Sequence, residues 1–186
     1  QFIPCIERDA RQPGGLAAFS LNPQKYGNFL VRLFDRWLAD FEDDLPTTFI
    51  RLFDALFYTY VDMTPPDCHQ QETCGNYLVV EHNGDVFPCD FYVEPTRRLG
   101  NIRDDTLLNM LRSTQQEAFG NLKKGLPAVC AVCPWFTKCY GGCPRERGFH
   151  GDPGNLLCGS LKQFFAHADG FFKEIAKKWK REHGQV

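Results

Sequence analysis

Apolar residues recur at helical spacing in the first third of the chain. Asn22-Pro23 offers an N-cap followed by a proline at the first helical position. The apolar positions that follow are Phe29, Leu30, Leu33, Phe34, Trp37, Leu38 and Phe41. Their three- and four-residue spacing predicts an amphipathic helix, and such an aromatic face is more typical of core packing than of a cofactor site.

Two segments around this helix predict strands. Residues 2–6 read as a short apolar strand, and residues 49–53 read as a strand that runs into a helix within the aromatic-rich stretch 47–61. Pro65-Pro66 ends that stretch, because proline removes a backbone donor and moves the preceding residue out of helical geometry. A boundary is therefore predicted near residue 65.

Asn83-Gly84 is the strongest turn signal, because this dipeptide favours the tight turns that close β-hairpins. It separates the apolar runs 77–82 and 85–89. A two-residue turn would set Leu78 opposite Cys89. This pairing predicts that three cysteines converge at one end of the hairpin: Cys68, Cys74 and Cys89.

Helices are predicted in the second half of the chain. One begins after a cap at Asp105 or Thr106 and has an apolar face of leucines, namely Leu107, Leu108 and Leu111. Another short helix covers residues 115–122. The capping-box sequence 160–163 opens a last helix, which carries apolar residues on one side as far as Trp179.

Composition and charge narrow the possible functions. The chain has 186 residues, of which 43% are hydrophobic, so it can bury a core without cross-links. The net charge of −2 gives no basic field, and no nucleic-acid partner is expected. No apolar run is long enough to span a membrane and no signal peptide is visible, so we expect no membrane association and a cytoplasmic protein with reduced cysteines.

Eight of the nine cysteines form an array of short spacings. Their order is Cys68-x5-Cys74-x14-Cys89, then Cys130-x2-Cys133-x5-Cys139-x3-Cys143-x14-Cys158. Eight thiolates supply two sites of four ligands, which suits zinc or iron–sulfur clusters; spacing alone favours structural zinc, and disulfides fit the compartment poorly. Gly141-Gly142 would let the backbone pass close to an inorganic core of either kind. The ninth cysteine, Cys5, reads as a small buried apolar residue.

Several segments together resemble the SPASM domain of radical S-adenosylmethionine enzymes, in particular anaerobic sulfatase-maturating enzymes. The resemblance lies in residues 86–93, 99–102, 133–136 and 141–143, and residues 2–7 resemble a late strand of that family's barrel. It implies an α/β fold in three parts. Residues 1–64 would end a partial (β/α) barrel, residues 65–160 would form a small α+β SPASM domain with a hairpin, short helices and a Cys-rich loop, and residues 161–186 would be a C-terminal helix packed on it.

The resemblance also implies two auxiliary 4Fe–4S clusters with crossed ligation. The first cluster would be held by Cys68, Cys74, Cys89 and Cys143. The second would be held by Cys130, Cys133, Cys139 and Cys158. Asp90 stands where the family has a proposed proton acceptor, and Ile6 stands where the family contacts the adenine of S-adenosylmethionine. The alternative for Asp90 is a carboxylate that caps a turn or pairs with Arg97 or Arg98.

The implied reaction is oxidation of a Cys or Ser side chain of a sulfatase to Cα-formylglycine. The implied partners are the sulfatase polypeptide and an electron donor such as flavodoxin or ferredoxin. S-adenosylmethionine and a third 4Fe–4S cluster are expected only in a full-length enzyme, because no Cys-x3-Cys-x2-Cys spacing occurs here. The opening residues, without a Met, suggest a C-terminal fragment, which we expect to be inactive alone; a processed terminus is the alternative.

Two alternatives stay open at this point. The chain could be part of another peptide-modifying SPASM radical enzyme, one that forms a thioether or a carbon crosslink. It could also be a non-enzymatic zinc-binding module that recognises a peptide.

Overall fold

The structure is a computed structural model that describes residues 1–43 and 45–184. The helices are α1 (Pro23–Leu38), α2 (Arg51–Tyr58), α3 (Leu107–Leu111), α4 (Thr114–Asn121), α5 (Ala128–Ala131), α6 (Phe136–Cys139) and α7 (Cys158–Glu182). The strands are β1 (Phe41–Glu42), β2 (Leu45–Pro46), β3 (Val79–Val80), β4 (Asp85–Phe87), β5 (Gly100–Asn101), β6 (Arg147–Phe149) and β7 (Asp152–Asn155). They form three small antiparallel sheets, β1-β2, β3-β4-β5 and β6-β7. The mixed α/β class predicted from the sequence is confirmed.

Helix α1 begins where its sequence predicts. The side chain of Asn22 accepts a hydrogen bond from the backbone N–H of Lys25 at 3.1 Å, and Pro23 occupies the first turn. This cap satisfies one of the N–H groups that have no partner within the helix. The apolar face of α1 then packs along α7.

The main core is an aromatic cluster between α1, α2 and α7. The ring of Phe34 in α1 lies 5.4 Å from Phe53 in α2 and 5.8 Å from Phe164 in α7, both edge to face. Gly27 lets α1 and α7 approach closely, because a Cβ there would lie 2.4 Å from Gln163 Oε1. The core residues are Ile6, Tyr26, Leu30, Phe34, Trp37, Ile50, Phe53, Leu56, Phe149, Leu157, Phe164, Phe165, Ala168 and Phe172.

The predicted strands of the first 60 residues are wrong. Residues 2–6 carry no strand pairing in the described structure, and the only pairing nearby is a single bridge between Arg8 and Leu16. Cys5 is exposed rather than buried. Residues 51–58 are helical, because the three-residue spacing of Phe53 and Leu56 buries both side chains on one helical face.

The predicted hairpin is present, but its register is shifted by one residue. Val79 pairs with Phe87 and Val80 with Val86, so the loop has three residues between Glu81 and Asp85. Only Gly84 of that loop has positive φ, at 87°. A left-handed glycine at the end of a three-residue loop is the other common way to close a hairpin.

Two helix details also differ from the prediction. Helix α3 is capped by Thr106 as predicted, yet its leucines are exposed and its buried side chain is Met110, which packs over Gly100. A helix of five residues presents too short a face for all of them. Helix α7 begins at Cys158 rather than at a capping box, because the hydroxyl of Ser160 donates to the carbonyl of Pro23 instead.

Helix α7 packs chiefly against α1, and its first turns also contact the Cys-rich loop, where the rings of Phe165 and Trp135 lie 6.0 Å apart. Among the described residues, no helix has the length and apolarity needed to cross a bilayer.

Candidate metal centre

Cys68, Cys89 and Cys143 all lie close enough to Cys74 for their charges to interact with it. Burial raises the pKa of the Cys74 thiol, and negative charge on Cys68 and Cys89 raises it further. Burial raises the pKa of Cys143 to about 12, with a contribution from the charge of Glu146 and a smaller one from Cys74. Burial raises the pKa of the Tyr92 phenol to about 12, and negative charge on Cys143, Cys74 and Cys89 contributes to that rise. These mutual effects indicate one group of thiols, which we call the first group.

The other four thiols line a single cavity, and we call them the second group. They are Cys130, Cys133, Cys139 and Cys158. Burial raises the pKa of Cys139 and of Cys158, and negative charge on neighbouring thiols of the same group raises both pKa values further. The rings of Trp135 and Phe165 form part of the apolar cavity wall. An apolar shell of this kind limits the access of water to a metal.

A sharp reversal of the backbone separates the two groups. Tyr140, Gly141 and Gly142 are consecutive left-handed residues with φ of 45°, 75° and 67°. The reversal directs Cys139 into the second group and Cys143 toward the first. A Cβ on Gly142 would lie 2.3 Å from Asn155 Nδ2, and one on Gly141 would lie 2.6 Å from a methyl carbon of Leu126. Both glycines line the cavity of the second group, so the backbone passes close to it.

The donor set fits soft metals. All nine cysteines are free, so none of the eight thiols is bound in a disulfide. Four thiols in each group match the four ligands of a cubane cluster or of structural zinc. Burial raises the pKa values of five of these thiols, so they are protonated when free at neutral pH, and metal binding must release their protons; the five are Cys74, Cys89, Cys139, Cys143 and Cys158.

A mixed set of donors lies at the edge of the first group. Ligand atoms of Asp67, Cys68 and His69 are within 4.8 Å of one another. The carboxylate of Asp67 already accepts from the backbone N–H of His69 at 3.0 Å and pairs with Arg51 Nε at 3.0 Å. These contacts place the carboxylate at the start of the turn that carries Cys68, where it serves as its cap.

Asp90 lies beside the first group and lines a cavity. Its Oδ1 accepts a hydrogen bond from Tyr77 Oη at 2.8 Å and lies 3.4 Å from Cys89 Sγ. Burial, with Cys89 and Asp90 nearby, raises the pKa of the Tyr77 phenol, so Tyr77 remains a donor. Asp90, Tyr77 and Cys68 line a cavity of about 340 Å³.

The expected alternative partners of Asp90 are engaged elsewhere. Arg98 Nε pairs with Asp85 at 2.5 Å, and the guanidinium of Arg97 lies over the ring of Tyr92. Among the described residues, the partners of the Asp90 carboxylate are therefore Tyr77 and Cys89. Both of these contacts are made by Oδ1, and Asp90 lines the cavity beside them.

Ile6 is buried in the aromatic core, 7% exposed, and also borders a small cavity with Cys143.

Sequence reasoning did not identify Tyr77, Lys123 or Arg147, which all lie close to the thiols. Tyr77 lies in an ordinary apolar run and Lys123 in an ordinary lysine pair, so neither pattern in the sequence indicates a position beside the thiols.

The SPASM iron–sulfur cluster-binding domain matches residues 68–134. The chain is 36% identical to a serine-type anaerobic sulfatase-maturating enzyme of Bacteroides thetaiotaomicron, covering 96% of this chain and 47% of that protein. It is 37% identical to a cysteine-type enzyme of Clostridium perfringens, covering 90% and 46%. The chain thus spans about half the length of these relatives.

Solved structures resemble the fold as well. Native anSMEcpe with bound AdoMet and a Kp18Cys peptide superposes with a TM-score of 0.78 at 34% identity, covering 95% of this chain and 48% of that one. Native anSMEcpe with AdoMet alone gives a TM-score of 0.76, covering 92% and 46%.

Proposed function

Because this chain belongs to the anaerobic sulfatase-maturating enzymes over the half of their length that it spans, we propose that it forms part of a radical S-adenosylmethionine enzyme. The enzyme oxidises a Cys or Ser side chain of a sulfatase to Cα-formylglycine. The observation that carries the proposal is a carboxylate, Asp90, at the boundary between a cavity and a group of four thiols. Relatives of both the serine type and the cysteine type match, so the substrate residue is left open.

Two 4Fe–4S clusters are proposed for the two groups of thiols. The first is held by Cys68, Cys74, Cys89 and Cys143, and the second by Cys130, Cys133, Cys139 and Cys158. When bound, such clusters can accept the electron that the substrate loses. With four thiolates each, they have no iron left open for substrate. The division of the chain at residues 64 and 160 stays a prediction.

Asp90 is proposed as the proton acceptor. Forming the aldehyde oxidation level removes a hydrogen atom, a proton and an electron from the substrate side chain. The carboxylate of Asp90 takes the proton, which a general base must do from hydrogen-bond distance. Tyr77 holds the carboxylate in place through its 2.8 Å hydrogen bond.

The remaining parts of the proposal concern the full-length enzyme. S-adenosylmethionine and a third cluster would bind there, with a flavodoxin or ferredoxin as the electron donor and a cytoplasmic location. Ile6 stays a predicted adenine contact, made through its backbone and through apolar contact. A thioether- or crosslink-forming enzyme is the alternative, and Asp90 favours formylglycine chemistry because that reaction requires a proton acceptor.

The test is Asp90→Asn in an enzyme that contains this chain, assayed with a sulfatase peptide. We expect iron and sulfide contents to match the unsubstituted enzyme while turnover falls by roughly 100-fold or more, the usual size of a lost general base. Glu94→Gln, an exposed carboxylate four residues away, is the matched control. Unchanged turnover in Asp90→Asn would remove Asp90 from the mechanism.

Metal analysis tests the cofactor separately. Anaerobically purified protein should contain iron with matching acid-labile sulfide, about eight irons for the two sites of this chain. Two zinc ions without sulfide would support a peptide-binding module instead.

A further inference from the structure

Lys123 is a buried cation at the first group of thiols. Its side chain is 1% exposed, and its Nζ donates to the carbonyl oxygens of Cys68 at 2.5 Å, His69 at 3.0 Å and Gln71 at 2.5 Å. Three acceptors use three N–H bonds, and only the protonated ammonium of lysine has three. The hydrogen bonds therefore require a charged side chain.

This cation lacks a carboxylate partner among residues 1–43 and 45–184. A buried charge is costly unless an opposite charge lies close by. Burial lowers the pKa of Lys123, and negative charge on Cys74, Cys68 and Cys139, which these groups carry when they bind metal, opposes that effect. Helix α6, which ends at Cys139 of the second group, packs against the turn Cys68–Gln70, whose carbonyl oxygens bind the ammonium, so the ammonium lies between the two groups.

A second buried cation fixes Lys123 in place. Arg147 is 8% exposed and donates from Nη1 to the carbonyl oxygen of Lys123 at 3.0 Å. Its remaining donors bind the carbonyl oxygens of Tyr140, Gly141 and Gly142, the reversal between the two groups, and that of Gly125. Both cations are thus held rigidly by backbone carbonyls rather than by flexible side chains.

We infer that Lys123 is a positioning residue that raises the reduction potential of both proposed auxiliary clusters. Adding one electron to a cluster held by four thiolates adds one negative charge, without a proton or a bond changing. A fixed cation in a poorly solvated site stabilises that added charge, so reduction becomes easier. The inference rests on the proposed function, because it needs clusters in both groups.

The experiment uses Lys123→Gln in the full-length enzyme, with clusters reduced stepwise by dithionite and followed by electron paramagnetic resonance. We expect the equilibrium constant for one-electron reduction of each auxiliary cluster to fall about tenfold, which is a potential about 59 mV lower. Lys124→Gln is the matched control, since Lys124 is the exposed neighbour. Its potentials should equal those of the unsubstituted enzyme.

Lys123→Arg covers the case in which the glutamine variant fails to fold. It keeps the charge while changing the hydrogen bonds, so we expect its potentials to stay near those of the unsubstituted enzyme. A full set of clusters with unchanged potentials in Lys123→Gln, or potentials lowered in Lys123→Arg, would overturn the inference and assign Lys123 a purely structural role. Absence of iron and sulfide from the unsubstituted enzyme would instead contradict the proposed function.

Discussion

Gly142 is a residue without a side chain in the backbone reversal that separates the two groups of thiols. Its φ of 67° is left-handed, and a Cβ would collide with the amide of Asn155, which donates to Glu146 at 2.8 Å. The sequence predicted a close backbone approach at this glycine to an inorganic core. The structure adds a reason that no spacing reveals, since Leu126, Arg147 and Asn155 fill the space that side chains would need.

We therefore predict that Gly142→Ala destabilises the protein by about 2 kcal/mol, since an alanine is strained at this φ and the contact with Asn155 must open. Thermal unfolding under anaerobic conditions measures the effect. Gly170→Ala is the control, because Gly170 lies on α7 with open space around it and alanine favours a helix by about 0.5–1 kcal/mol. Equal midpoints for the two variants would contradict the prediction.

Among the helices and strands, some were predictable from the sequence and others were not. Helix α1 was predictable because a cap, a proline and a long apolar period all agreed. The hairpin was predictable, but its register was not, because Asn83-Gly84 occurs in both two-residue and three-residue loops. A shift of one residue in the register moves every side chain of a strand to the opposite face of the sheet. The face of α3 was not predictable, since tertiary contact with Gly100 selected Met110 over three leucines.

The pairing of α1 with α7 predicts a strong effect at Phe34. This ring is 1% exposed and contacts Phe53, Phe164 and Phe172. Phe34→Ala should destabilise the protein by about 3–5 kcal/mol, because it leaves a cavity in the core. Urea unfolding followed by circular dichroism measures this.

The matched control is Phe29→Ala, on the same helix but 39% exposed. It should lower stability by about 1 kcal/mol or less. Similar losses in the two phenylalanine variants would mean that α1 does not contribute its buried face to the core as described.

At the scale of the whole molecule, the two groups of thiols cross in sequence. Cys139 and Cys143 are four residues apart, yet the reversal at residues 140–142 sends them to different groups. Spacing alone identified eight candidate ligands, but it could not divide them, because the division depends on that local backbone geometry. The crossed division came from family resemblance and stays a prediction as a set of metal ligands.

Paired substitutions test this division. Cys143→Ala should lose about half of the iron, and adding Cys68→Ala should lose little more, because both ligands serve one four-iron site. Adding Cys130→Ala to Cys143→Ala should remove nearly all the iron. Iron and sulfide analysis gives the answer, and the reverse pattern would show that sequence neighbours share a cluster.

Helix α7 begins at Cys158, and farther along it buries Phe164 and Phe172 against α1. The sulfur of Cys158 and the rings of Phe164 and Phe172 therefore belong to one continuous helix. If Cys158 binds metal as proposed, warming that separates α7 from α1 would also withdraw that ligand. The visible absorbance of an assembled cluster would then decrease as α1 and α7 separate, although the contact between these two helices involves no iron.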